Sequence, residues 1–372
     1  MCFLEQERKT LAKFLPGLDQ TLAEIPLLEM EKPGNPAIKE FRKHGGTNIL
    51  IPSQYGGLGA SLVEAVQMQR AIASRSPSLA VATTMHHGTV LVLTDLASTE
   101  SELKVIEDIA QRRLYVSSAF AEGQANAHMF AMTMKVTKTP GGYKLSGSKK
   151  PCSLTYSMDL ITFGIMIPGS VEGEEELALA ILPADTPGIE RQKFWGNWVL
   201  SGAESDEVLF KDVFLPEESL YRAGDPRYIN TIQAKGLLWF EVIMSAAYLG
   251  IASALVERVI MAQRGTPIER ASLGIDLENS MAALEGLAYS IMLDKYSEEE
   301  LLAKSLFIRF ATQGAIERTT KAAVELLGGM SFISSPEVSC LFASAHALAF
   351  HPPSRFSISP ALDHYLMGMG LN

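Results

Sequence analysis

A single carboxylate inside a strongly apolar segment is the most unusual chemical group in this sequence. Glu241 is the one charged residue within residues 238–250, where almost every other side chain is apolar or small. Burying a carboxylate there is costly unless the group is paired or functional. Because burial also raises the pKa of a carboxyl group, Glu241 could serve as a general base. We therefore interpret Glu241 as a candidate for proton abstraction.

Two adjacent histidines and three cysteines are the other groups that could do chemistry. His86 and His87 follow each other directly, so they do not share a helix face and are poorly placed to chelate a metal. Cys2, Cys152 and Cys340 have neither metal-ligand spacing nor an even number. The cysteines therefore predict no metal site and no disulfide framework, and they favour a reducing, cytoplasmic compartment.

Residues 113–159 have the pattern of β-strands and would form one side of a site. Residues 115–122 and 142–159 alternate apolar with polar or small side chains, which is typical of strands. Between them, Pro140, Gly141 and Gly142 form a turn signal. We predict a hairpin followed by a loop rich in small hydroxyl residues.

Three kinds of segment would position these groups. Residues 1–111 show the three-to-four spacing of apolar residues that indicates helices. Residues 112–222 read as short strands with turns between them, which suggests a compact barrel or sandwich. From 223 to 372 the pattern is helical again, and long apolar runs at 237–263 and 297–327 indicate the interior of a bundle.

Short motifs along the chain resemble the acyl-CoA dehydrogenase family. They are an I-P-x-x-Y-G-G-x-G motif at 51–59, a G-Y-x-L-x-G-x-K motif at 142–149 and an F-x-D-V motif at 210–213. The resemblance covers nearly the whole chain and implies an α+β fold. Its parts would be a helical N-terminal domain (1–111), a central β-barrel domain (112–222) and a C-terminal four-helix bundle (223–372), assembled as a homodimer or homotetramer.

The resemblance also implies that the chain binds FAD. Eight positions match family segments that contact this cofactor: Phe120, Ala121, Cys152, Ser153, Arg264, Glu325, Gly328 and Gly329. The first four fall where the family meets the flavin ring. Arg264 matches an arginine that reaches the FAD phosphates across a dimer contact, which suits a guanidinium because it can bind phosphate in a bidentate way. Glu325 stands where the family has glutamine.

The substrate pocket and the base are assigned through the same resemblance. In the family, the helix that holds His86 and His87 lines the acyl-chain pocket, so one of them would face substrate; a satisfied core histidine is the alternative. The usual C-terminal glutamate base is replaced by His351, which could act as a base near its own pKa. Relatives with the base on the long helix place it at Phe240, one residue from Glu241. Glu241, His351 or neither could therefore be the base.

The activity implied is FAD-dependent α,β-dehydrogenation of an acyl thioester, in which a base removes the α-proton while the flavin takes a hydride. The substrate would be an acyl-CoA or, in specialised biosynthesis, an acyl or aminoacyl group on a carrier protein. The electron acceptor would be an electron-transfer flavoprotein or oxygen. Two alternatives stay open. One is a flavin monooxygenase on the same fold, which fits the missing glutamate, and the other is a flavin-free, non-enzymatic relative.

Charge and hydropathy limit the remaining classes of partner. The formal net charge is −10, and no run of five like charges occurs, which argues against a nucleic-acid partner. The sequence has no uninterrupted apolar run of 18 residues, so we predict no membrane span.

Overall fold

Helices occupy both ends of the chain in the computed structural model, which describes residues 2–123, 132–168, 175–222 and 228–371. The N-terminal helices are α1 (Glu5–Phe14), α2 (Leu18–Glu24), α3 (Leu27–Met30), α4 (Pro36–Lys43), α5 (Leu62–Arg75), α6 (Pro77–Leu96) and α7 (Glu100–Arg112). Helix α6 begins with Ser76 as its N-cap and a proline at its first position, both of which favour a helix start. It carries many of the residues that matter below.

The middle of the chain forms a sandwich of two sheets. Its strands are β1 (Val116–Ser118), β2 (Lys135–Thr139), β3 (Gly142–Cys152), β4 (Leu160–Pro168), β5 (Glu175–Pro183), β6 (Ile189–Gln192), β7 (Asp206–Pro216) and β8 (Leu220–Arg222). The described strands make one four-stranded sheet in the order β1-β4-β5-β8 and another in the order β2-β3-β7-β6. The sheets pack face to face, with the rings of Phe163 and Phe210 centred 4.8 Å apart. Of the two predicted arrangements, the described strands therefore form the sandwich.

The predicted turn at residues 140–142 is confirmed, but one of its two strands was misassigned. The turn joins β2 to β3, which pair in antiparallel register from Thr139 and Gly142 outward. Strand β1, from the stretch predicted as the other arm, instead pairs in parallel with β4 in the second sheet. A tight turn pairs only the residues next to it, and residues 124–131, which precede β2, lie outside the described part.

The C-terminal region is helical, as predicted. It contains α8 (Tyr228–Met261), α9 (Pro267–Met292), α10 (Glu298–Leu327), α11 (Gly329–Ser334), α12 (Pro336–Ala345) and α13 (Arg355–Leu366). Helix α8 packs against α5, α6, α9, α10 and α12, so it forms the centre of the helical core. Its segment Ala234–Met261 is long and apolar enough to cross a membrane, but 89% of the most apolar window is buried inside the protein. Among the described residues this helix is therefore a core element.

The predicted order of a helical, a β and a second helical domain is confirmed. The boundaries at 111/112 and 222/223 stay a prediction, and residue 223 lies outside the described part. The outer face of the β1-β4-β5-β8 sheet carries α6 and α7, since Leu179 and Val116 of the sheet pack in one apolar cluster with Val90 and Leu93 of α6. This contact positions the site described next.

Candidate active site

A cavity of about 180 Å³ lies where α6 and α8 face the outer side of the β1-β4-β5-β8 sheet. Its lining is almost entirely apolar, with a few hydroxyl groups, and within the described part of the chain it includes no charged side chain. The residues used below are Thr84, Met85, Gly88, Thr89, Ser118, Phe120, Ala121, Pro151, Gly236, Phe240 and Pro352. Such a site suits an uncharged, largely apolar molecule beside a flat aromatic ring.

Two of the four residues predicted beside the flavin ring line this cavity. Phe120 and Ala121 form its wall at the end of β1, together with Pro151 near the end of β3. Ser153 is not part of the lining, because its hydroxyl lies 3.1 Å from that of Ser205 and its carbonyl accepts a hydrogen bond from Ser117.

Cys152, in contrast, is excluded from the cavity. Strand pairing becomes irregular between Lys149 and Cys152, and the thiol lies in the sandwich core, within 3.3 Å of the Lys149 carbonyl. Burial raises the pKa of Cys152 to about 12. The resemblance placed Cys152 beside the flavin, whereas the structure buries its side chain in the sandwich core, away from this cavity. Cys340 is buried as well, whereas Cys2 is exposed, and all three thiols are free.

Glu122 follows Ala121 directly, but its carboxylate is held by a buried lysine. Lys149 Nζ lies 2.7 Å from Glu122 Oε1 and donates a second bond to the Gly164 carbonyl. Burial raises the pKa of Glu122, yet the hydrogen bonds from Lys149 and Thr133 outweigh this and leave the pKa below its ordinary value. The carboxylate is therefore an anion that is paired behind the wall and does not face the cavity.

Glu241 does not line the cavity either. Its Oε1 lies 2.6 Å from Arg309 Nη1 of α10, and both side chains are only 1% exposed. Arg309 also donates to the carbonyls of Leu348 and His351, so the pair fastens the segment that ends at Pro352 in the cavity wall. Burial raises the pKa of Glu241, whereas the positive charge and the hydrogen bond of Arg309 lower it.

The structure therefore does not place Glu241 where a base for a molecule in this cavity would lie. Phe240, one residue earlier, lines the cavity, and successive residues of a helix point about 100° apart. The carboxylate consequently faces Arg309, while an aromatic ring occupies the position from which a base would act. The cost of burying the lone glutamate is offset in part by an ion pair between its Oε1 and an arginine that is distant in sequence, whereas the buried Oε2 has no hydrogen-bond partner within the described residues.

His351 is also unsuited to act as a base. Its Nε2 lies 2.8 Å from the hydroxyl of Tyr248, and its ring packs against Phe240 with centroids 5.7 Å apart. Burial and the nearby positive charge of Arg309 lower the pKa of His351 to about 3. A ring that holds a proton so weakly is a poor general base at neutral pH. Its neighbour Pro352 lines the cavity, whereas the ring supports Phe240 from behind.

His86 and His87 lie in the core, as the alternative interpretation expected, and not in the substrate pocket. The backbone N–H of Val116 donates to His86 Nδ1, so the ring must carry its proton on Nε2, which donates to the Thr47 carbonyl at 2.9 Å. Burial lowers the pKa of His86 to about 4 and that of His87 well below its ordinary value. Their helix does line the cavity, but through Met85 and Gly88. The pocket assignment failed because the two rings point to the other sides of the helix.

The four predicted phosphate-site residues lie at the C-terminal ends of α8 and α10. Arg264 and Glu325 are exposed, and Gly328 ends α10 with a φ of 86°. A Cβ added to Gly265 would lie 2.9 Å from Leu326, so the segments of Arg264 and Glu325 adjoin in space. None of the four, Gly329 included, lines the cavity. A phosphate site formed across a dimer contact stays a prediction.

Sequence reasoning missed the small residues of the cavity. Gly88 and Gly236 lie inside long helices, and a Cβ added to Gly88 would meet nothing within 4 Å. A glycine in the interior of a helix lowers its stability and therefore signals a packing or functional reason. This signal was available in the sequence and could have identified both positions.

Comparisons with known proteins relate this geometry to a family. Residues 7–113 match the family model described as acyl-CoA dehydrogenase, N-terminal domain. The chain is 41% identical to isobutylamine N-hydroxylase from Streptomyces viridifaciens, with 98% of each chain covered. Two solved structures are also similar. FMN-bound TdsC from Paenibacillus sp. A11-2 is 18% identical, with a TM-score of 0.83 and 98% of both chains covered. The FAD complex of PigA is 16% identical, with a TM-score of 0.80 and with 98% of this chain and 96% of that chain covered.

The likeness to an N-hydroxylase over the full chain overturns the expectation of acyl-thioester dehydrogenation. That expectation came from the family resemblance, which covers dehydrogenases and monooxygenases alike, and within the described residues the cavity lining contains no carboxylate that could act as a base. The findings favour the alternative, a monooxygenase on the same fold. The partners expected for a dehydrogenase are therefore withdrawn as well: acyl-CoA, an acyl carrier protein and an electron-transfer flavoprotein.

Proposed function

Because the chain belongs to the acyl-CoA dehydrogenase superfamily, we propose that it is a flavin-dependent monooxygenase that hydroxylates the nitrogen of a small aliphatic amine. The observation that carries the proposal is an apolar cavity, lined by Phe240 where a dehydrogenase would need its base. Identity of 41% to isobutylamine N-hydroxylase supports the amine as substrate class.

The residues present fit a flavin. Phe120, Ala121 and Pro151 form an apolar wall for the ring system. Arg264 would bind the phosphate end, in keeping with the resemblance. Both FMN and FAD suit this arrangement, because one similar structure holds FMN and another holds FAD. When bound in its reduced form, the flavin supplies the electrons that activate dioxygen for transfer of one oxygen atom.

The chain's own residues would position the amine and exclude water. Transfer of oxygen to an amine uses the lone pair of the nitrogen, so the enzyme needs no base for an α-proton. The ion pair of Glu241 with Arg309 and the contact of His351 with Tyr248 hold Phe240 and Pro352 in the wall. An apolar lining keeps bulk water away from the reacting atoms, which protects a reactive oxygen species from wasteful breakdown.

Partners and compartment follow from the same proposal. The enzyme would take reduced flavin from an NAD(P)H-dependent reductase and use oxygen as co-substrate. Large apolar side chains on the C-terminal helices are strongly exposed, among them Ile268 at 79%, Ile333 at 77% and Phe356 at 92%, which supports a homodimer or homotetramer. Three free cysteines support a reducing, cytoplasmic location.

The proposal is tested by product analysis. Purified protein with FMN or FAD, chemically reduced under nitrogen, is mixed with ¹⁸O₂ and isobutylamine, and the product is identified by mass spectrometry. We expect a hydroxylamine that contains one ¹⁸O atom. Anaerobic addition of acyl thioesters to the oxidised flavoprotein should leave its visible spectrum unchanged. Bleaching by an acyl thioester, or the absence of any hydroxylamine from a panel of amines, would contradict the proposal.

A further inference from the structure

We propose that this cavity accepts only the unprotonated form of its amine, and that the hydroxyls of Thr89 and Ser118 receive the amino group. The inference rests on the proposed function and specifies the chemical form of the substrate. It begins from the absence of an anionic partner: within the described residues, no carboxylate lines the cavity. An ammonium ion would enter a site that offers it no counter-charge.

Every charged residue next in sequence to a residue of the cavity lining has a partner. Glu176, which precedes Leu177 of the lining, is one of these residues, and the other four form ion pairs. The pairs and their distances are Glu122 with Lys149 at 2.7 Å, Lys150 with Glu207 at 2.9 Å, Lys235 with Asp95 at 3.1 Å and Glu241 with Arg309 at 2.6 Å. His86, His87 and His351 adjoin the lining too, and burial lowers the pKa of each, which keeps the rings neutral at pH 7. The surroundings therefore contribute no unpaired negative charge that would hold an ammonium ion.

The polar groups that do line the cavity suit a neutral amine. Thr84 is occupied, because its hydroxyl accepts a bond from Gln69 at 2.8 Å and donates to the Ala80 carbonyl at 2.9 Å. Among the described residues, the hydroxyls of Thr89 and Ser118 have no such bonds. A hydroxyl oxygen can accept an N–H of the amine. Bonding of this kind leaves the nitrogen lone pair free to react.

The reaction balances for the neutral amine. One amine, one dioxygen and one reduced flavin give one hydroxylamine, one water and one oxidised flavin. The O–O bond breaks, an N–O bond forms, and one N–H hydrogen is exchanged for the new hydroxyl. Two electrons come from the reduced flavin and two from the amine nitrogen, and the second oxygen atom leaves as water. An ammonium ion has no lone pair and cannot start this sequence.

Proton release on binding tests the inference without turnover. A primary alkylamine has a pKa close to that of lysine, about 10.4, so only about one molecule in a thousand is neutral at pH 7.4. Calorimetric titration of the oxidised flavoprotein with isobutylamine, in buffers of different ionisation enthalpy, should show one proton released per amine bound. The apparent Kd should fall about tenfold per pH unit from pH 7 to pH 9.

Controls distinguish a pH dependence caused by ionisation of the amine from one caused by ionisation of the protein. Isobutanol, which is uncharged, should bind with an affinity that does not change over this pH range. Thr89→Val and Ser118→Ala should each weaken amine binding by about 5- to 30-fold, as expected for the loss of a buried hydrogen bond. Thr94→Val is a matched control on the same helix, since the Thr94 hydroxyl bonds to the Val90 carbonyl and does not line the cavity.

Each outcome has one meaning. Binding without proton release, a Kd that is independent of pH, or no binding at all would overturn the inference. Unchanged affinity in both Thr89→Val and Ser118→Ala would overturn the role of the hydroxyls. Failure of the proposed function looks different, since the amine would then bind with proton release but yield no hydroxylamine with reduced flavin and oxygen.

Discussion

Replacing Gly88 by alanine should narrow the range of amines accepted and stabilise the fold at the same time. Gly88 lies in the middle of α6, lines the cavity, and has nothing within 4 Å of the position that a Cβ would occupy. The new methyl group would therefore project into the cavity without a clash. Alanine is also favoured over glycine inside a helix by about 0.8–1 kcal/mol.

The size of the effect follows from the space removed. One methyl group of misfit in an apolar pocket changes transition-state binding by about 1–3 kcal/mol, or about 10- to 200-fold. In Gly88→Ala, kcat/KM for isobutylamine should fall by at least about tenfold, whereas ethylamine should keep its value within about threefold. The assay is hydroxylamine formation with both amines, together with thermal unfolding and the Kd of the flavin.

A second glycine supplies the matched control. Gly286 of α9 is exposed and also has nothing within 4 Å of an added Cβ, but it does not line the cavity. Gly286→Ala should give the same stabilisation with no change in amine preference. Equal losses for both amines in Gly88→Ala, or a change in preference in Gly286→Ala, would refute the position of the substrate in this cavity.

Three further predictions follow from the ionisable groups. Glu241→Gln should lower the free energy of unfolding by about 3–5 kcal/mol, because it breaks a buried ion pair. Turnover per bound flavin should stay within about threefold of the original value. A complete loss of turnover in folded protein would instead show that Glu241 takes part in the reaction. The folded-state pKa of His86, about 4, lies below its ordinary value of 6.5, so the stability that it contributes is complete above pH 6.5 and falls as the pH drops towards 4. Urea unfolding should show up to about 3 kcal/mol of this loss, and His86→Asn should remove that part of the pH dependence. Arg264→Ala should weaken flavin binding by about 10- to 100-fold in equilibrium dialysis, and an unchanged Kd would argue against a phosphate contact.

Local patterns predicted the elements well, and long-range contacts explain what was missed. The helix expected at 297–327 is α10, Glu298–Leu327, because its apolar spacing and its start signals lie within the segment itself. The partner of β1 could not be derived in this way, since parallel pairing joins strands that are far apart in sequence.

In the candidate site, too, local patterns predicted some residues, whereas contacts between distant residues decided others. Phe120 and Ala121, predicted beside the flavin, and Phe240, predicted in the substrate pocket, all line one cavity. Glu241 was misassigned, because a lone carboxylate in an apolar helix is explained equally well by a base or by a buried partner. The partner, Arg309, lies 68 positions later in the sequence, and the residues around Glu241 do not predict this pairing.

The burial that removes Cys152 from the cavity leaves the protein with a single reactive thiol. Cys152 and Cys340 are buried, and their pKa values are raised to about 12, whereas Cys2 is exposed. A maleimide dye at neutral pH should therefore attach at one defined point, just before α1, without any engineered cysteine. Energy transfer between this dye and a labelled reductase would report whether reduced flavin passes within a complex of the two proteins or by free diffusion.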